Sequence, residues 1–406
     1  MNSFRNIEFM VIYRMKAVIT AQFREIDLRT RLTKYMKGVL PPLQIGNLTA
    51  PLPLIQGGMG VGISLSGLAS AVANAGGIGV ISSVGLGLLR PELGKNYPEA
   101  NINALRAEIR AARKLTDGIL GLNIMLAVSD FDQMLKTAFE EEIDIVFLGA
   151  GLFLKLPSTM TLEYLQNVKT KTGIIVSSDR AASLILNHWG KHFQLTPDIV
   201  VVEGPLAGGH LGFKKEQIFD SEYALEVILP KVKAVVQAVE ERAGKQIPVI
   251  AAGGIYTGAD IYKIMQLGAD GVQLGTRFVA TVECDADAVF KQQFINCRDE
   301  DIVVIESPVG LPGRALNNQF LKDVAGGKKH PFQCFWKCLK TCDYNTAPYC
   351  IALALRNACN GILEEGFAFS GANGWRVDKI VPVRELIDEL LQEYWAYAEQ
   401  VYLDSR

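Results

Sequence analysis

The stretch VVVEGPLAGGHLG, residues 200–212, decides the fold of this chain. It opens as a run of β-branched apolar residues, which is typical of a strand buried on both faces in a parallel sheet. The run stops at the carboxylate of Glu203, and a glycine-rich loop that carries His210 follows it. Glycines let a backbone approach a ligand closely, and an imidazole can transfer protons near neutral pH. We therefore interpret this stretch as a buried strand that leads into a reactive loop.

Similar short apolar runs occur along the chain and alternate with helical patterns. The eight candidate strands are Leu52–Ile55, Gly79–Ser82, Leu120–Met125, Ile143–Leu148, Gly173–Ser177, Ile199–Glu203, Pro248–Ala252 and Gly271–Leu274. Strands alternating with helices indicate a parallel sheet, and eight is the number that closes a (β/α)8 barrel. A doubly wound sheet would instead require Gly-x-Gly-x-x-Gly after the first strand, and the segment QGGMGVG at residues 56–62 lacks that spacing. We predict an α/β protein, a TIM barrel with a C-terminal, mostly helical extension.

The chain divides into three segments by composition. Residues 1–36 are rich in basic side chains with weak periodicity, and we expect a dispensable extension, a start assigned too far upstream, or a helix packed on the domain. Residues 37–320 hold the predicted barrel. Residues 321–406 are rich in cysteine and aromatic side chains and end in an amphipathic pattern over Val383–Tyr397. We expect this last segment to pack on the barrel as an extension.

Composition narrows the classes of partner. The chain has 406 residues, 49% of them hydrophobic, which suits a globular protein with a large core. Its net charge of −2 gives no electrostatic reason to expect nucleic acid or an anionic membrane as a partner. The seven cysteines, an odd number mostly late in the chain, do not resemble a secreted disulfide framework, and no signal peptide precedes them. We expect a cytoplasmic protein that acts on a small molecule and leave a homodimer open.

Two glycine-rich turns predict a phosphate site. Gly253-Gly254 follow the seventh candidate strand, and Gly275-Thr276 follow the eighth. In TIM barrels the loops after these two strands often hold a phosphate with backbone N–H groups. Tight turns alone would explain either glycine motif, but both together at these positions favour a phosphate, and a phosphate there fits FMN.

Other strand ends supply groups that suit the flavin ring. Asn123 offers a planar amide, and residues 56–59 (QGGM) offer backbone groups and a thioether. His210 is the candidate for proton transfer, or for anion binding when protonated. Glu203 is expected to orient the loop or to contact the cofactor, since a buried carboxylate needs donors.

The cysteines of the tail are harder to assign. Cys334, Cys338 and Cys342 recur every four residues and Cys350 follows, so on a helix they would form a stripe able to hold a metal or cluster. The spacing matches none of the zinc or iron–sulfur patterns we can justify, and buried cysteine behaves as a small apolar side chain. We therefore predict a packing role and no metal site.

Taken in order, these motifs resemble the nitronate monooxygenases, formerly 2-nitropropane dioxygenases, and the related FMN-dependent enoyl-acyl carrier protein reductases. The resemblance covers about residues 40–320 and implies an FMN-binding barrel with His210 as the catalytic residue. The expected cofactor-binding residues are Gln56, Gly57, Gly58, Met59, Asn123, Glu203, Gly208, Gly209, Gly253, Gly254, Gln273, Leu274, Gly275 and Thr276. At the position of Glu203 many nitronate monooxygenases carry glutamine, whereas the reductases tend to carry the acid. The cysteine-rich tail resembles a subgroup of nitronate-monooxygenase-like proteins.

The resemblance implies two functions, and the unexplained cysteine-rich tail leaves a third open. The first is oxidation of an alkyl nitronate by FMN and O2 to a carbonyl compound and nitrite. The second is NAD(P)H-linked reduction of an enoyl thioester or another acceptor, with NAD(P)H as co-substrate. The third is a flavin-binding regulatory or interaction protein. We favour the first because the tail is not typical of the reductases.

Overall fold

The computed structural model describes residues 40–334 and 336–405. The chain divides into two compact units, residues 1–41 and residues 42–406, and the second holds all the strands and helices described. The expected N-terminal extension, residues 1–36, lies outside the described residues. Residues 321–406 belong to the same compact unit as the strands predicted to form the barrel. No helix in residues 40–334 or 336–405 is long and apolar enough to cross a membrane.

Eight parallel strands form the centre of the fold. They are β1 (Leu54–Gln56), β2 (Gly79–Ser82), β3 (Leu120–Met125), β4 (Ile145–Gly149), β5 (Lys171–Val176), β6 (Ile199–Glu203), β7 (Val249–Ala252) and β8 (Gly271–Leu274). Each strand from β2 to β5 pairs with the next in sequence, β6 pairs with β7, β7 with β8, and β8 pairs with β1. A parallel bridge between Ile55 and Ile78 joins the two remaining edges and closes the barrel. The predicted TIM barrel is confirmed, with strand bounds within two residues of the expected ones.

Several of these strands are continuous apolar runs because both of their faces are buried. Val200, Val201 and Val202 of β6 have no exposed surface, which explains why this run lacks the alternation of a half-exposed strand. Alternate residues point into the barrel, and an antiparallel hairpin of Leu43–Ile45 and Leu48–Ala50 packs against that interior cluster. This hairpin was not expected from the sequence, and it covers the end of the barrel opposite the strand-end loops.

The α-helices alternate with the strands and continue past them. They are α1 (Ser66–Asn74), α2 (Leu86–Leu89), α3 (Tyr97–Leu115), α4 (Phe131–Glu140), α5 (Leu162–Asn167), α6 (Asp179–His188), α7 (Leu225–Ala243), α8 (Gly258–Gln266), α9 (Thr276–Val279), α10 (Ala288–Asn296), α11 (Gln319–Ala325), α12 (Ile351–Cys359) and α13 (Val383–Asp404). Polar side chains cap several of these helices. Thr257, for example, accepts a hydrogen bond from the Asp260 N–H at 3.2 Å at the start of α8.

The C-terminal residues pack on the barrel through α13 and a small antiparallel sheet. Gly258 at the start of α8 allows α13 to approach, since a Cβ there would lie 2.2 Å from the Leu390 carbonyl oxygen. The small sheet joins Ile302–Glu306, Pro312–Leu316 and Gly209–His210, so the loop after β6 supplies its third strand. The predicted terminal helix is confirmed and extends to Asp404.

One aromatic side chain fills the middle of the barrel. Phe147 on β4 is 1% exposed and lies between Gly121 on β3 and Gly173 on β5. A Cβ at either glycine would come within 3.0 Å of the Phe147 ring. The two glycines therefore make room for the ring, as close packing of a core requires.

We expect Phe147→Ala to lower the free energy of unfolding by about 3–5 kcal/mol, because it removes a buried ring and leaves a cavity between two glycines. Urea unfolding of the variant and the wild type measures the loss. Phe219→Ala is the matched control, since Phe219 is 76% exposed. An equal effect of the two substitutions would contradict the role of Phe147 in the core.

Candidate active site at the carboxyl ends of the strands

A cavity of about 730 Å³ opens at the carboxyl ends of the barrel strands. This is the end where TIM barrels place their chemistry. The cavity is lined by thirteen of the fourteen residues expected to bind cofactor and by His210; the thirteen are Gly57, Gly58, Met59, Asn123, Glu203, Gly208, Gly209, Gly253, Gly254, Gln273, Leu274, Gly275 and Thr276. The fold thus brings together groups that lie more than 200 residues apart in sequence.

Gln56 has a different position from the one expected. Its side chain is fully buried, and its Oε1 accepts a hydrogen bond from the Val80 N–H at 2.9 Å. Its Nε2 donates to the Gly57 carbonyl oxygen. Because Val80 lies on β2, the Gln56 side chain links β1 to β2 within the barrel wall. Gln56 is not among the residues that line the cavity.

The turns after β7 and β8 present backbone groups to the cavity. Gly253 and Gly254 have φ angles of +91° and +86°, a region that side chains other than glycine rarely adopt. Thr276 Oγ1 accepts a hydrogen bond from the Gly371 N–H at 3.0 Å, which leaves its own proton free to be donated. The Asn373 side chain donates to the Gly254 carbonyl oxygen at 2.7 Å. Residues of the C-terminal extension therefore hold both turns in place.

A narrow part of the cavity lies between β1 and β3. A Cβ at Gly58 would lie 2.4 Å from the Cβ of Asn123, so only glycine permits this approach. Met59 is fixed by its N–H, which donates to Ser64 Oγ at 2.8 Å, and its sulfur lies next to Gly275. A planar amide, a thioether and exposed backbone thus surround one space.

Glu203 ends β6 beside Ala252, the last residue of β7. Among the described residues no donor is hydrogen-bonded to its carboxylate. Burial raises the pKa of Glu203 to about 7, because a carboxylate removed from water without donors is disfavoured in its charged form. This carboxyl group is therefore available to a ligand that brings hydrogen-bond donors.

His210 is held by three contacts. Gly209 and His210 pair with Gly313 and Arg314 as an antiparallel strand. The His210 Nε2 lies 2.7 Å from Ser307 Oγ, and its ring meets the edge of Phe369 at a centroid distance of 5.0 Å. Burial lowers the pKa of His210 to about 4, so the imidazole is neutral near pH 7.

Arg314 stabilises the loop after β6, and the sequence did not predict that it would lie at the site. Its guanidinium is buried and donates to the carbonyl oxygens of Pro205 at 2.5 Å and Ala207 at 2.8 Å. These bonds satisfy carbonyl groups of the glycine-rich loop that no strand pairs. Nothing in the sequence marks Arg314, Ser307 or Phe369 as site residues, since their partners lie about 100 residues or more away in the chain.

We expect Glu203→Gln to stabilise the flavin-free protein at about pH 8 and to change little at about pH 5. The pKa of the acid is about 7 in the folded state against 4.5 ordinarily. The stability that the neutral acid contributes is therefore fully present below pH 4.5 and is lost as the pH rises through 7. Glutamine stays neutral at both pH values. The gain at high pH should be on the order of 3 kcal/mol at most, measured by urea unfolding at both pH values. The exposed Glu216→Gln is the control, and a gain that is equal at both pH values would contradict this assignment.

The comparisons with known proteins agree with this geometry. The family model described as nitronate monooxygenase matches residues 42–393. A probable nitronate monooxygenase of Staphylococcus haemolyticus is 26% identical over 376 residues, covering 86% of this chain and 95% of that protein. A (3aS,4S,5R,7aS)-5-hydroxy-7a-methyl-1-oxo-octahydro-1H-indene-4-carboxyl-CoA dehydrogenase of Mycobacterium tuberculosis is 27% identical over 277 residues, 68% of this chain and 66% of that one.

Solved structures share the same barrel. FabK from Thermotoga maritima has a TM-score of 0.66 and 30% identity, covering 86% of this chain and 95% of that one. A nitroalkane oxidase from Streptomyces ansochromogenes has a TM-score of 0.65 at 21% identity, covering 86% and 98%, and shows the same fold. With the site at the strand ends, these likenesses identify the protein as a flavin-dependent oxidoreductase. The chain belongs to the nitronate monooxygenase family, to which the FabK enoyl-acyl carrier protein reductases are related.

Proposed function

We propose that this protein is an FMN-dependent nitronate monooxygenase that converts alkyl nitronates to carbonyl compounds and nitrite. The observation that carries the proposal is the neutral, half-buried His210, fixed over the cavity by Ser307 and by strand pairing. A neutral imidazole in this position can take the proton from the carbon next to a nitro group. The family match over residues 42–393 supports the same reaction.

The cavity fits FMN by its donor set. The glycine turns after β7 and β8 and the Thr276 hydroxyl offer N–H and O–H donors for a phosphate. The unpartnered Glu203 carboxylate can accept hydrogen bonds from the hydroxyl groups of a ribityl chain. Asn123 and Met59 line the same cavity and offer an amide and a thioether to a planar ring system. When bound, FMN accepts electrons from the substrate and passes them to O2.

His210 acts on the substrate proton. Because burial lowers its pKa, His210 is a base near pH 7 and a poor cation, so the alternative role as a charged anion binder is the weaker one. The contact with Ser307 fixes the ring, and the Phe369 ring packs against it. The side chain therefore keeps one orientation toward the cavity while it accepts and returns a proton.

Reduction of an enoyl thioester with NAD(P)H is the second candidate. The carboxylate of Glu203 and the 30% identity to FabK from Thermotoga maritima favour it. It would require His210 to donate a proton, and burial disfavours the protonated ring. The two candidates therefore need opposite protonation states of one side chain.

Anaerobic flavin reduction by a nitronate, by NADH and by NADPH in parallel separates the candidates. We expect rapid bleaching of the flavin absorbance by the nitronate and slow bleaching by both nicotinamides. Rapid bleaching by NADH or NADPH with no response to the nitronate would contradict the proposal and establish the reductase. A colourless protein that takes up no FMN would contradict both.

We expect His210→Ala to reduce kcat/KM for a neutral nitroalkane by about 10²- to 10⁴-fold, because the variant lacks the base. The preformed nitronate needs no deprotonation, so the same variant should oxidise it at close to the wild-type rate. Steady-state kinetics with both forms of one compound measure the difference, and FMN content shows that the cavity is intact. Equal losses with both forms would mean that His210 binds the substrate and does not deprotonate it.

A further inference from the structure

Four of the seven cysteines surround one small cavity beside the active site. Cys334, Cys338, Cys342 and Cys350 line a cavity of about 170 Å³ whose other walls are mostly apolar. Cys284, Cys297 and Cys359 are not among its lining residues. The segment from 331 to 350 is not helical where it is described, so its cysteines do not form a stripe along a helix. The chain instead folds around the cavity and brings in Cys350 as well.

The four thiols face one mostly apolar space. Cys334, Cys338, Cys342 and Cys350 share the lining of this cavity with apolar side chains such as Phe332 and Leu339. Thiolates gathered around one space repel one another, so they need positive charge between them.

A backbone N–H group points at one of these sulfur atoms. The Lys337 N–H donates to Cys334 Sγ at 3.4 Å. Cys350 immediately precedes the nine-residue helix α12. Lys337 itself has a φ of +45°, an uncommon conformation for a side-chain-bearing residue, which turns the chain between Cys334 and Cys338. Hydrogen bonds to cysteine sulfur are a feature of iron–sulfur sites, where they tune the cluster.

The four thiols are not arranged to hold a single metal ion. Zinc binds sulfur at about 2.3 Å, which draws four ligands to roughly 3.8 Å from one another. Among the described residues, no group of three or more His, Cys, Asp or Glu side chains is placed to hold such an ion. An iron–sulfur cluster takes four cysteine ligands and is larger than a single ion.

We propose that Cys334, Cys338, Cys342 and Cys350 bind an iron–sulfur cluster through their four thiolates. Each thiol gives its proton to solvent and forms one S–Fe bond, while iron and sulfide come from cluster assembly. This reverses the packing role expected from the spacing alone. It is independent of which substrate the flavin site oxidises, because cluster content is measured without turnover.

The cluster would lie in the wall of the active-site cavity. Cys338 and Leu339 line both cavities. The Ser129 N–H donates to the Cys338 carbonyl oxygen at 3.0 Å, and the Lys340 N–H donates to that of Ala127 at 2.9 Å. These bonds tie the cysteine segment to the loop after β3, whose Ala127 and Val128 also face the active site. A bound cluster therefore clamps this wall against the barrel.

Elemental analysis of the full chain, purified without oxygen and reconstituted with ferric iron, sulfide and a dithiol, tests the proposal. We expect iron and acid-labile sulfide in equal amounts, at two or four of each per chain, and a low-temperature electron paramagnetic resonance signal after reduction. Zinc without sulfide, no bound iron, or disulfides among these cysteines by mass spectrometry would each overturn it.

Single substitutions identify the ligands. Cys334→Ser and Cys342→Ser should each lose most of the iron and sulfide, while Cys297→Ser, a matched change outside the cavity, should keep both. Full iron in the first two variants would overturn the proposal. If those variants do not fold, alkylation of the reconstituted wild type decides: the four cavity cysteines should be protected while Cys297 reacts, and modification of all five would overturn the assignment.

Discussion

Closure of the barrel is the constraint on which the rest of the structure depends. The strand-end loops meet over one cavity only because β1 and β2 join, and they join by a single bridge between Ile55 and Ile78. The Gln56 side chain strengthens the junction between β1 and β2. Its amide oxygen is fully buried and accepts a hydrogen bond from the Val80 N–H at 2.9 Å. A buried backbone donor without this partner would cost free energy comparable to a lost hydrogen bond. The wall that holds the ligand groups thus depends on a side chain outside the ligand site.

Residues that follow the eighth strand complete the active site as well as covering the barrel. Arg314 holds the carbonyl groups of the loop after β6, and Ser307 fixes the His210 ring. Gly371 and Asn373, in the C-terminal extension, bind the turns after β8 and β7. The loop that carries His210 supplies a strand of the small antiparallel sheet. A barrel without these residues would present the same glycine turns, but His210 would have no fixed orientation.

Burial shifts the pKa values of Glu203 and His210 in opposite directions. Loss of water raises the pKa of the acid and lowers the pKa of the base, so burial favours the neutral form of both groups. A neutral base suits removal of a proton from carbon, and a neutral acid can donate as well as accept. The cavity lined by Cys334, Cys338, Cys342 and Cys350 is a second site in the same wall. Cys338 lines both cavities.

The sequence by itself determined the barrel, because eight apolar runs at βα spacing can bury both faces only in a parallel sheet. It also located His210, Glu203, Asn123 and the glycine turns, since strand-end loops follow directly from strand positions. Only the tertiary structure decided the roles of Gln56, Arg314 and Ser307 and the gathering of the four cysteines. These depend on contacts between segments far apart in the chain, and local spacing carries no record of such contacts. Spacing could not place Cys334, Cys338 and Cys342 around a cavity, because the chain there turns at Lys337 and is not helical where it is described.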